Sequence, residues 1–290
     1  MSLRRSLLYL VAVAACVFSV MLVAFAVNLT GILMPRRSLD EQVALIASHT
    51  ETRVPEGVSA AVPTVIMLHG CGGRRQVQDD YAEQILAAGY AVMIVSSNEA
   101  RGIGRFASMS QVCLAMRLLG QERAADIHAA IEIARDDQRL DADRIALLGW
   151  SHGGWTILDA LSFSGGRADL PALTGASAEL PGVRLAVTMY PYCGFPARTS
   201  GRNLPTDIPI RSVLAEKDVI APPDRCERRL RLAETEGLDV EITWLEGQTH
   251  AFDEPAAPAL DPRIVYNENA AAIAQRRVVD WLNEAFADQG

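Results

Sequence analysis

Lysine is almost missing from this chain. Lys217 is the only one among 290 residues, and the rest of the 27 basic side chains are arginine. There is no basic excess either, because 35 acidic residues leave a net charge of −8. Residues 1–37 carry Arg4, Arg5, Arg36 and Arg37 and no acid, so the remainder stands at −8 − 4 = −12. That balance excludes nucleic acid as a partner, since such binding depends on basic side chains at phosphates. No internal repeat, low-complexity tract, zinc-type Cys/His spacing or phosphate-cradling Gly-rich loop is present, and neither a metal nor an organic cofactor is expected. Disorder is excluded from the other side, because half the residues are apolar and only 21% are charged.

Charge is absent altogether from Leu7 to Met34, a run of 28 residues. About 20 apolar residues cross a bilayer as a helix. Arg4 and Arg5 precede the run as in a signal sequence, but a cleaved signal has a shorter apolar stretch and a small-x-small site. The expectation is an uncleaved signal anchor over 1–37, a connector over 38–62 and an extracytoplasmic catalytic domain over 63–290. Arg36 and Arg37 make both flanks basic, so the positive-inside rule gives no independent orientation. A lipoprotein site at Cys16 is disfavoured by the apolar sequence that follows it; a buried globular helix is the remaining alternative.

Cysteine is scarce, with five in the chain. Cys16 lies inside the apolar run, leaving Cys71, Cys113, Cys193 and Cys226, an even number behind an export signal. Four cysteines allow three pairings. Cys71–Cys113 and Cys193–Cys226 are favoured because each ties a loop after a strand to the next irregular segment; four unrelated buried thiols are the alternative.

Beyond the connector, aliphatic runs alternate with helical patterns. Strands are expected at 63–70, 90–97, 144–150, 183–192, 208–218 and 240–247, and helices near 76–88, 120–135, 223–236 and 263–286. That alternation predicts an α/β fold with a mostly parallel sheet covered on both faces. Only 98–119 and 193–207 resist assignment, which leaves no room for a large cap domain.

Gly149-Trp150-Ser151-His152-Gly153 carries the G-x-S-x-G pattern between a predicted strand and a predicted helix. In that setting the pattern marks a nucleophile elbow, with the hydroxyl at the C-terminal edge of the sheet. A serine needs a base. Of five histidines, His49 lies in the connector, His69 ends a strand, His128 is mid-helix, and His152 offers its backbone N–H. His250, after the last predicted strand, remains as the base. In chain order the acid falls between them, and Glu216 and Asp218 close a predicted strand; Asp218, at the turn, is the better placed. The N–H groups of Cys71 and His152 are the expected oxyanion donors. Arg101 and Arg105 are either solvated or set to meet an acidic substrate group.

The ordered set HGCGG, GWSHGG, YPYC, LAEKD…PPDRC and HAFD resembles the dienelactone hydrolase family of α/β-hydrolases, and in particular its exported, serine-bearing branch. The resemblance covers roughly 62–285 and implies a Ser151–Asp218–His250 triad that hydrolyses a small-molecule ester or lactone. The chain departs from the namesake enzymes, which use a cysteine nucleophile, and has Ser96-Ser97 where many relatives place an acidic residue. Two other readings compete. One is a peptidase of prolyl oligopeptidase type, which normally brings a large N-terminal domain; the other is a hydrolase fold that binds without catalysis. The sequence leaves the oligomeric state open.

Overall fold

Among the described residues the α/β alternation folds into a seven-stranded sheet with the strand order β1-β3-β2-β4-β5-β6-β7. The computed structural model describes residues 3–29, 34–165, 170–200, 204–256 and 261–287. Its strands are β1 (Thr50–Arg53), β2 (Val62–Leu68), β3 (Ala91–Val95), β4 (Leu140–Trp150), β5 (Val183–Met189), β6 (Ile210–Ala215) and β7 (Val240–Leu245). Between and around them run α1 (Leu3–Leu29), α2 (Leu39–Ile46), α3 (Gln76–Ala87), α4 (Ser97–Ala100), α5 (Arg105–Ala107), α6 (Gly120–Asp136), α7 (His152–Phe163), α8 (Pro223–Thr235) and α9 (Glu268–Phe286). All pairings from β3 through β7 are parallel, and only β1 on β3 is antiparallel.

Successive strand residues point to opposite faces, and two cores follow from that alternation. On one face Ile66, Leu68, Met93, Ile145 and Leu147 pack with residues of α6, α7 and α8. On the other, Val65, Met67, Ile94, Ala146 and Leu148 pack with residues of α3 and α9. β4 lies at the centre of the sheet between β2 and β5 and is wholly buried from Ala146 to Trp150. The residue that follows it therefore emerges at the middle of the C-terminal edge.

Residues 38–62 do more than connect. A capping box between Ser38 and Glu41 starts α2, Gln42 donates to the buried Asp126 of α6, and β1 adds an edge strand. No strand was expected here. TETR has neither an aliphatic run nor a long alternation, and its place is set by pairing with β3.

Leu3–Leu29 forms one 27-residue helix. Its side chains from Leu8 to Val20 are exposed. Among the described residues no helix is long and apolar enough to cross a membrane. Residues 30–33 of the apolar run, and 201–203 of the loop after β5, lie outside the described residues. Both favoured disulfides are present, Cys71–Cys113 and Cys193–Cys226, and Cys16 is free. Two such bonds suggest an oxidising, extracytoplasmic or secreted setting.

Candidate active site

The turn from β4 into α7 is closed by glycines that admit no substitute. A Cβ at Gly153 would sit 2.0 Å from the Leu68 carbonyl oxygen of β2, and one at Gly149 would sit 2.5 Å from the Gly153 carbonyl carbon. Between them Ser151 adopts φ 52° and ψ −109°, a conformation L-residues rarely hold. Strain of this kind persists only where the surroundings over-determine it. Here the Ser151 N–H donates to the Met189 carbonyl at 2.8 Å, and its carbonyl accepts from Trp155 at 2.9 Å.

The turn after β6 brings Asp218 to the same edge. Its Oδ1 accepts the N–H groups of Ile220 (2.9 Å) and Ala221 (2.7 Å), which leaves Oδ2 to face His250 Nδ1 at 2.6 Å. A carboxylate only accepts, so Nδ1 carries the proton and Nε2 presents a lone pair. That Nε2 lies 2.9 Å from Ser151 Oγ. Asp218 and His250 are buried while Ser151 is half-buried, so the hydroxyl is reached from solvent and the pair behind it is not. The structure thus brings Ser151, His250 and Asp218 together from three separate strand ends. Glu216, the other acid weighed, turns away and accepts the Gly247 N–H.

The His250 loop is held from below by a residue that the sequence did not single out. Asp253, buried, accepts from Tyr190 Oη (2.6 Å), Tyr81 Oη (3.0 Å) and Trp150 Nε1 (3.3 Å). Burial pushes its carboxyl up to about 6 despite those donors. Tyr190 also sets its ring edge-on to His250, with centroids 4.9 Å apart. The only sequence signal for Asp253 was its place in HAFD, three residues after His250.

The HGCGG turn lies beside the serine. Gly73, at φ +89°, donates back to the Gly70 carbonyl at 3.2 Å, and Asn98 Nδ2 donates to the Cys71 carbonyl at 3.0 Å. Among the described residues, the N–H groups of Cys71 and His152 enter none of the backbone hydrogen bonds of the turns and caps. Helix starts leave such donors free. Arg123 of α6, also unforeseen, ties both sides together: its Nη1 donates to the His69 carbonyl (2.7 Å) and to His152 Nδ1 (3.2 Å), and its Nε to Ser97 Oγ (2.8 Å). Burial, then the Arg123 charge, pushes His152 down to about 3, and burial lowers Arg123 itself to about 9. The His152 ring is therefore neutral and held in place by Arg123.

The other histidines stand apart from this chemistry. His49 closes a short 3₁₀ turn, His69 is buried with Nδ1 on the Gly70 carbonyl, and His128 is buried in α6 and pushed down to about 4. The two arginines of the 98–119 segment divide. Arg101 is neither solvated nor free to face a ligand, because it forms a two-pronged, largely buried pair with Asp126 (2.8 and 3.0 Å). Arg105 is exposed and lines a cavity that reaches Ser151. Among the described residues no cluster suited to a metal ion occurs.

Comparison with known proteins bears on the family and the fold. Residues 51–286 match the dienelactone hydrolase family. A protein of Paracoccidioides brasiliensis named "Probable dipeptidyl-aminopeptidase B" is 27% identical over 236 residues, covering 77% of this chain and 24% of its own length. The chain thus spans about a quarter or less of the curated relatives first matched. Among solved structures, Thermogutta terrifontis esterase 2 phosphonylated by cyclosarin superposes with a TM-score of 0.59 at 14% identity, over 82% of this chain and 89% of that one. A dienelactone hydrolase-like promiscuous phosphotriesterase, P91, from metagenomic libraries gives 0.57 at 16% identity, over 82% and 92%. Identities this low speak for the shared fold, whereas the family match covers most of the chain. The chain belongs to the dienelactone hydrolase family.

Proposed function

We propose that this protein is a serine hydrolase of carboxylic esters or lactones, working through an acyl-enzyme. The observation that carries the reading is the relay from Asp218 Oδ2 through His250 to Ser151 Oγ, at 2.6 and 2.9 Å. His250 Nε2 takes the Ser151 proton as Oγ bonds to the carbonyl carbon. The oxyanion draws on the N–H groups of Cys71 and His152 at the start of α7, where the helix dipole also favours negative charge. His250 then passes the proton to the departing alkoxide as the carbon–oxygen bond breaks. Water, activated by the same imidazole, releases the acid and restores Ser151. No metal or organic cofactor enters this sequence.

The N-terminal helix is read as a membrane anchor that holds the catalytic body on the extracytoplasmic side. Its support is the uncharged run Leu7–Met34 and a helix of 27 residues, about 40 Å at 1.5 Å per residue. Washing membranes with carbonate tests it: the full chain stays with the lipid, and a chain starting at Met34 is released with its activity intact.

A peptidase is the second reading, favoured by the 236-residue similarity to a dipeptidyl-aminopeptidase. Purified protein given p-nitrophenyl acetate and a prolyl-amide substrate separates the two. Ester turnover without amide cleavage supports the esterase; amide cleavage at comparable kcat/KM replaces it with the peptidase.

A further inference from the structure

Ser151 lies at the junction of two cavities of unequal size. One, about 340 Å³, is walled by Leu114, Trp155, Tyr192, Phe195 and Ile220 and by His152. The other, about 160 Å³, is walled by His250 with Trp150, Tyr190, Met109 and Ile264. Cys71 and Cys113 line both, so their disulfide forms the ridge between them. His250 borders only the smaller cavity and His152 only the larger.

We propose, building on the ester-hydrolase reading, that the larger cavity takes a bulky apolar acyl group and the smaller one a compact alcohol. The tetrahedral carbon has four substituents. One is Ser151 Oγ, and one is the oxyanion turned toward the Cys71 and His152 N–H groups. The leaving alkoxy oxygen must be within reach of His250, which donates its proton, and that places the alcohol in the cavity His250 borders. The acyl chain takes the remaining direction, into the larger cavity.

The walls of that cavity fit carbon. Trp155 spends its indole N–H on Asp159 (2.7 Å), and Tyr192 spends its hydroxyl on the Phe195 carbonyl (2.8 Å). Both turn rings without free donors toward the space, while Leu114 and Phe195 are 61% and 64% exposed. An aryl or branched alkyl chain covers them on binding. The class of substrate is therefore an ester of a bulky apolar acid with a short alcohol.

A pair of isomeric esters tests the assignment, because they contain the same atoms with the bulk reversed: methyl 3-phenylpropanoate and 2-phenylethyl acetate. Hydrolysis of each is followed by pH-stat in the wild-type protein and in the Leu114→Ala/Phe195→Ala variant, whose changed side chains are mostly exposed and leave folding intact, as a melting curve checks. The methyl ester is expected to be preferred by about tenfold in kcat/KM. The variant is expected to lose about tenfold on it, through lost apolar contact, and to lose far less on the acetate, whose acetyl group is too short to cover that wall. Preference for the acetate, or a loss confined to the acetate, overturns the orientation while leaving the hydrolase reading in place. So do equal rates unaffected by the substitutions, or labelling of Ser151 by a fluorophosphonate with neither ester cleaved. Absence of both labelling and turnover removes the hydrolase reading, and this assignment with it.

Discussion

Replacing Cys71 and Cys113 together by alanine removes the ridge between the two cavities while keeping every backbone N–H. The bond closes a loop with a sequence separation of 42, for which loss of the cross-link frees about 4 kcal/mol of unfolded-state entropy. That figure is an upper value, because compact denatured chains gain less. For a body of this size each kcal/mol moves Tm by about 2–4 °C, so a fall of about 10 °C is expected. Turnover at 25 °C has a separate expectation. Asn98 still holds the Cys71 carbonyl, so kcat falls by less than the about 10²-fold that follows outright loss of an oxyanion donor. Circular dichroism melts with and without reductant, and ester hydrolysis below the transition, measure both quantities. The reasoning is refuted if Tm of the double variant stays within about 2 °C of wild type, or if reductant still lowers it by the original amount.

Three further substitutions probe separate parts of the site. Asp218→Asn removes the acceptor that fixes the Nδ1–H tautomer of His250; kcat is expected to fall about 10⁴-fold with KM little changed, and a loss under tenfold contradicts its role. Gly153→Ala forces a Cβ to within 2.0 Å of the Leu68 carbonyl oxygen, costing about 3 kcal/mol or more through displaced backbone; a variant melting within about 2 °C of wild type contradicts the tight-turn argument. Burial raises Asp253 from 3.8 to about 6, so between those pH values the folded chain keeps a proton that the unfolded chain has released. The contribution of this carboxyl to stability therefore falls as pH rises from about 4 to about 6 and is level above, a cost on the order of 3 kcal/mol. Urea titrations of Asp253→Asn are expected to lack that slope, and an unchanged slope contradicts the assignment.

Much of this site was legible because its sequence signals are local. Gly149 and Gly153 flank Ser151 at the end of an aliphatic run, and the physics that demands them, a turn packed against β2, is written within five residues. His250 and Asp218 followed because each closes a run of strand residues, and strands in a parallel sheet end at one edge. Even the disulfide pairs came from the placement of cysteines after strands. What escaped depends on contacts remote in sequence. β1 exists because β3 offers an open edge to TETR. Arg123 sits in an alanine-rich helix with nothing nearby to mark it, and its partners, the His69 carbonyl and the His152 ring, are 54 and 29 residues away. Asp253 gathers Tyr81, Trp150 and Tyr190 from across the chain. Segment 98–119 broke into α4, α5 and a π-helical turn at Ser108–Val112, held by Asn98 and the Cys71 bond rather than by any periodic pattern. Arg101 reads as solvated, or as set to meet a substrate, for the same reason: its partner Asp126 lies 25 residues on.

The central claim, that the Ser151 hydroxyl is a nucleophile activated by His250, meets its most direct test in covalent labelling. A fluorophosphonate probe is incubated with the folded wild-type protein and with Ser151→Ala, and the modified peptide is located by mass spectrometry. The account predicts one adduct on Ser151, its rate falling by orders of magnitude in His250→Ala, and none in Ser151→Ala. Labelling that persists in Ser151→Ala, or a folded wild-type protein that stays unlabelled, contradicts it.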